Sequence, residues 1–177
     1  MAWTTPLTAV ANAALTAAQW NASVRDNLAE TAAARATTAG SIFVGTGANS
    51  LAERIPASDI VETTQTTTST TYVDLTTLGP GVTITTGTQA IVAMTCFLDG
   101  TVAGNHAAMG FAVSGASAIA AVDNVAVRSV TGLQRQSIIE FVTGLTAGSN
   151  FFLAKYRSSA VGNTASFANR RCFVIPL

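Results

Sequence analysis

From residue 61 onward the chain is interrupted by turn residues at intervals of roughly 8–12 positions, and several of the runs between them alternate. Val82-Thr83-Ile84-Thr85 has a clean period of two, the repeat that sends successive side chains to opposite faces of a strand. Gly79-Pro80-Gly81 precedes it and Thr86-Gly87-Thr88 follows it, before a largely apolar run from Gln89 to Leu98 that ends at Asp99-Gly100. Further runs lie at 72–75, 109–113, 125–127, 134–142, 151–156, 165–167 and 171–175. Eight or nine short strands spaced in this way predict a mainly β domain over residues 63–177, an antiparallel jelly-roll-like sandwich.

Residues 1–39 read differently. An extended arm, Met1-Ala2-Trp3-Thr4-Thr5-Pro6, leads to one amphipathic α-helix that begins at Thr16 and Ala17 and runs through the Ala-rich stretch to Ala36. Thr16 followed three residues later by Gln19 is a capping box, and Leu15 with Trp20 is placed to form a hydrophobic staple. Trp20, Val24 and Leu28 recur at intervals of four and share one stripe. A lone helix of this length is marginal in water, so the stripe needs a surface to lie on, either a partner or the chain's own β-domain. Trp3, Leu15, Trp20, Val24 and Leu28 are therefore the candidate anchor residues. Between arm and β-domain, residues 40–62 form a connector with a short β-hairpin around Gly45-Thr46-Gly47. No phosphate loop is expected there, because Ser50 stands where the last glycine of a GxGxxG would be.

Composition points the same way. Charged residues make up only 10% of the 177 residues, hydrophobic ones 49%, and nine basic side chains balance nine acidic ones. A surface so poor in charge is expected to be covered by an oligomer or a larger assembly. A neutral chain with Arg170-Arg171 as its one basic pair is not expected to bind nucleic acid. No run approaches the roughly 20 apolar residues of a spanning helix, so no membrane partner is expected.

Chemistry is sparse. His106 is the single histidine, with Asp99 and Asp123 the nearest acids in sequence, both at turns where aspartate serves structure. No metal-ligand spacing, nucleophile arrangement or paired-carboxylate motif stands out, so no cofactor, no metal and no enzymatic activity are expected. Cys96 and Cys172 lie in apolar surroundings and read as buried free thiols. Phe151, Phe152, Tyr156, Phe167 and Phe173 crowd the last third and read as core rather than as a sugar-stacking platform.

Several segments resemble a family. Met1–Pro6, Thr16–Asn21 and Val24–Leu28 are similar to the N-termini of small virion proteins of tailed bacteriophages. Gly40 to Ile55 resembles the connectors of phage fibre-like proteins, and 70–75, 111–116 and 170–177 resemble their jelly-roll heads. The resemblance implies a homotrimer held on the virion by its arm and helix, against the major capsid protein or a tail protein. Within it, a capsid decoration protein is the first expectation. The alternative is a tail fibre or receptor-binding tip that meets a host-surface glycan, and a capsule-degrading spike is disfavoured by the scarcity of acids.

Overall fold

The computed structural model describes residues 4–8, 10–129 and 132–177. The chain divides into two compact units, Met1–Ile55 and Pro56–Leu177.

The second unit is a sandwich of two antiparallel sheets. Its strands are β3 (Ala57–Val61), β4 (Gln65–Thr67), β5 (Gly81–Thr86), β6 (Gln89–Gly100), β7 (Ala107–Gly115), β8 (Val127–Ser129), β9 (Gln134–Thr143), β10 (Gly148–Ser158) and β11 (Ala165–Pro176). One sheet has the order β5-β10-β7-β8 and the other β3-β11-β6-β9, with β4 also pairing β11. With β4 set aside and the rest numbered one to eight, the two orders become 2-7-4-5 and 1-8-3-6. That interleaving, with consecutive strands shared between facing sheets, is a jelly roll.

The largely apolar run from Gln89 to Leu98 builds the core from one of its two faces. On β6, Ala90, Val92, Met94, Cys96 and Leu98 are buried while the residues between them are only half covered. They meet Phe111, Phe152, Tyr156, Phe167, Cys172 and Val174 in one apolar cluster. Tyr156 and Phe167 pack edge to face with centroids 4.8 Å apart, a favourable geometry for two rings. Gly115, at φ +100°, lies so close to β10 that a Cβ would stand 2.5 Å from the Ser149 carbonyl oxygen.

Three expectations about the strands need correction. The runs at 165–167 and 171–175 are one strand, β11, whose register against β6 shifts between Ala168 and Arg171. Asn169 takes φ 47° there, and the extra residue flips the alternation so that Arg170 points into the core. Residues 72–75 form no strand but a single bridge from Val73 to Tyr156. Conversely, residues 57–61, which the sequence reading leaves in the connector, form β3 along β11.

In the first unit, the hairpin appears as β1 (Ile42–Gly47) and β2 (Ser50–Arg54), closed by Ala48 and Asn49, the latter at φ 55°. The capping box at Thr16 forms, with the Gln19 amide donating to Thr16 Oγ at 3.2 Å and Gln19 Oε1 accepting from the Thr16 amide at 3.0 Å. The helix is not the uninterrupted one expected to Ala36. It runs as α1 (Ala17–Trp20), a π turn (Asn21–Asp26) and α2 (Asn27–Ala29), then breaks before α3 (Ala32–Arg35). The break has a local cause: Thr31 is extended at ψ 152°, and its hydroxyl donates to the Leu28 carbonyl at 2.9 Å. A threonine that bonds back to the preceding turn in this way competes with helix continuation.

Candidate functional site: the arm and helix

Asn27 organises the N-terminal unit. Its side chain is buried, accepts from the Thr4 amide at 2.9 Å and from Thr4 Oγ at 3.0 Å, and donates to the Thr4 carbonyl at 3.1 Å and the Ser23 carbonyl at 3.0 Å. Thr4 Oγ lies equally close to the Ala22 carbonyl, and the Leu7 amide donates to Ser23 Oγ, again at 3.0 Å. The arm is thus strapped along the helix by polar clasps. The asparagine amide is well suited to this, since it offers acceptor and donors in one plane.

The same arrangement leaves the apolar side chains outward. Trp20 is 54% exposed and Leu28 61%, and Leu7, Val10 and Leu15 are exposed as well. Leu7, Val10, Leu15, Trp20 and Val24 line an open groove of about 380 Å³ between arm and helix. Of the predicted anchor residues, the structure brings Leu15, Trp20 and Val24 to this groove and leaves Leu28 outside it. Trp3 lies outside the described residues. Asn27 was not foreseen, and with Gln19, Asn21, Ser23, Arg25 and Asp26 in the same helical stretch no sequence signal singles it out.

Glu53 secures the C-terminal end of the α3 segment. Its carboxylate accepts from the Thr37 and Thr38 amides at 3.0 and 2.9 Å, and from Thr37 Oγ at 2.5 Å. These bonds, that of the Thr37 hydroxyl above all, lower its pKa to about 2.

The second unit holds the remaining candidates apart. Asp123 is paired to Arg157 and, at 3.5 Å, to Arg128, and accepts from the Tyr72 hydroxyl at 2.9 Å. The Arg157 bond above all keeps this carboxyl below its ordinary range. Asp99, expected at a turn, lies near the end of β6 opposite Ser166, and its Oδ1 accepts from the Gly100 amide at 2.8 Å. His106 has a buried Nε2 with no hydrogen-bond partner, and burial lowers its pKa. Among the described residues, no group of three His, Cys, Asp or Glu side chains could hold a metal ion. No described helix is long and apolar enough to cross a membrane. Cys96 and Cys172 are free and buried, and burial pushes both thiols up to about 12. Phe152, Tyr156 and Phe167 are core side chains, whereas Phe173 is partly exposed.

No family model and no curated protein matches the sequence. Among solved structures, one chain from the structure of infectious bursal disease virus Gx strain is similar, with a TM-score of 0.40 and 14% identity. The match covers 75% of this chain and 35% of that one, so this chain spans about a third of that neighbour's length. A likeness that loose carries no argument about what the chain does.

Proposed function

We propose that this chain is a non-enzymatic structural protein of a tailed-phage virion, a homotrimeric capsid decoration protein. Its N-terminal arm and helix form the anchor and its jelly roll the head. The observation that supports the anchor is the helix itself. Asn27 is its one buried side chain among the described residues, while Leu15, Trp20 and Leu28 stay exposed. A helix that turns its polar clasp inward and its large apolar side chains outward is built to dock. The low charge and the resemblance of 1–6, 16–28 and 40–55 to phage virion proteins favour a particle as the docking surface. Burial of such groups, repeated over three copies, turns modest single contacts into firm attachment through multivalency.

A second reading, a fibre tip that contacts a host glycan, draws on a shallow, largely apolar groove of about 610 Å³ on the β-domain. Tyr72, Asp123, Lys155 and Arg157 line it. Quantitative mass spectrometry of purified particles, against the major capsid protein, tests both. Hundreds of copies of the chain per particle are expected for decoration. A handful would mean a tail position, and none would overturn the virion reading.

A further inference from the structure

The outer face of the β3-β11-β6-β9 sheet breaks the rule that the solvent side of an antiparallel sheet is polar. The pairing register sets its side chains in rows. Ile175, Ile91 and Phe141 lie side by side, and Phe173, Ala93 and Ile139 form the next row. Ile139 is 73% exposed and Phe141 56%, and Ile60 and Phe173 are exposed as well. Ala93, small and central, sits between Phe173 and Ile139 in a groove of about 370 Å³. We propose that this face is where copies of the chain pack against one another, Ala93 flooring the contact and Phe173 and Ile139 walling it. The inference rests on reading the chain as a self-associating virion protein; like face on like face is a two-fold contact, which joins copies in pairs.

Charge and area choose a second copy as the occupant. The second unit holds six basic and six acidic side chains. On the opposite sheet and its loops they are matched: Lys155 pairs with Asp74, and Arg157 and Arg128 with Asp123. On this sheet they are not. Among the described residues Arg171 on β11 and Arg135 on β9 reach no carboxylate, with Arg135 resting instead over the Phe97 ring, 5.5 Å from its centroid. Glu62, just past β3 at the edge opposite β9, reaches no cation among the described residues. A face with an unmatched acid, Glu62, at its β3 edge, an unmatched base, Arg135, at its β9 edge and an apolar middle is complementary to a rotated copy of itself. A polyanion or an anionic membrane would answer only half of it. The sheet is four strands wide and its longest strand, β6, has 12 residues. At about 4.8 Å between strands and roughly 3.3 Å per residue this gives a face on the order of 700 Å². A stable interface needs about 800 Å² per partner.

Sedimentation equilibrium of the full chain tests the assignment. Wild type is expected to sediment as an oligomer, and Ile139→Asp and Phe173→Asp to weaken association at least tenfold. Trp20→Asp in the anchor and Thr83→Asp on the other sheet should leave it unchanged. Ser137→Asp, on the same face but at an already polar position, gives the same reading should the first variants fold poorly. Hydroxyl-radical footprinting needs no variant at all: Ile139, Phe141 and Phe173 should be protected at high concentration and oxidised on dilution. A monomeric wild type overturns the proposal, as does an oligomer that Ile139→Asp and Ser137→Asp leave intact. A wild-type monomer whose face variants lose particle binding would mean that another virion protein covers the face. Copy number in particles is measured separately, so failure here leaves the virion reading standing, and a virion failure leaves this one measurable.

Discussion

The guanidinium of Arg170 lies 5.3 Å from the centroid of the Tyr156 ring, and both side chains are fully buried. Among the described residues no carboxylate answers the charge. Carbonyl oxygens and an amide oxygen do: Gly79 O at 3.3 Å, Thr63 O at 3.4 Å and Gln65 Oε1 at 3.2 Å, while the Tyr156 hydroxyl donates to Gly79 O at 2.6 Å. The arginine thereby ties β11 to the segments at Thr63–Gln65 and Gly79. Arg170→Ala is expected to lose about 2–4 kcal/mol of stability in urea denaturation, through the cavity and the carbonyls left unpaired. Tyr156→Phe should cost only about 1 kcal/mol, the worth of one hydrogen bond.

The Asn27 clasp predicts a local effect. Asn27→Ala removes four hydrogen bonds between the arm and the helix or within the helix. Hydrogen exchange should show the Thr4 amide released by at least tenfold. The β6 and β10 amides should be unaffected, because stability is lost in the first unit alone.

Trp20→Asp places a charge among the exposed apolar side chains of the anchor groove. Particle binding in a co-sedimentation assay is expected to fall at least tenfold while circular dichroism of the β-domain stays constant. Wild-type attachment by this variant would sink the anchor assignment.

The buried thiols give a pH dependence. Cys96 and Cys172 have pKa values raised by burial to about 12, above those of an unfolded thiol, near 8.5. The neutral form is the one the fold favours. The contribution is therefore complete below about pH 8.5 and is lost as pH rises toward 12. Unfolding by urea should become progressively easier over that window, and Cys172→Ala should flatten the alkaline slope. At neutral pH a thiol reagent should react with the native protein far more slowly than with the unfolded chain.

Most of the sandwich was legible because its signals are local. The alternation along β5 and part of β9, the apolar run of β6 and the turn residues between strands mark each element within a dozen residues. The jelly-roll order follows once those strands pair. What escaped depends on partners distant in sequence. β3 is a short mixed run, Ala57-Ser58-Asp59-Ile60-Val61, and becomes a strand because β11 lies beside it. The β11 bulge was written in the sequence as a phase change: Ala165 and Phe167 point inward, then Arg170, Cys172 and Val174 do. Read as two strands, it hid the buried arginine. In the anchor, Thr16 and Gln19 were readable as a cap, but the π turn and the Thr31 break were not. Alanine-rich sequence favours helix by propensity, and that trend conceals where a single hydroxyl ends it.

Strand β11 also governs how fast this molecule can fold. It pairs with β6 on one side and, across more than a hundred residues of intervening chain, with β3 on the other. Such a pairing must meet the entropy of closing a very long loop before any contact repays it. The half-formed sheet therefore spends the wait with β6, a long apolar strand, open along one edge. Refolding should be slow, in the millisecond-to-second range of β-rich topologies, and its yield should fall with protein concentration as open edges find one another.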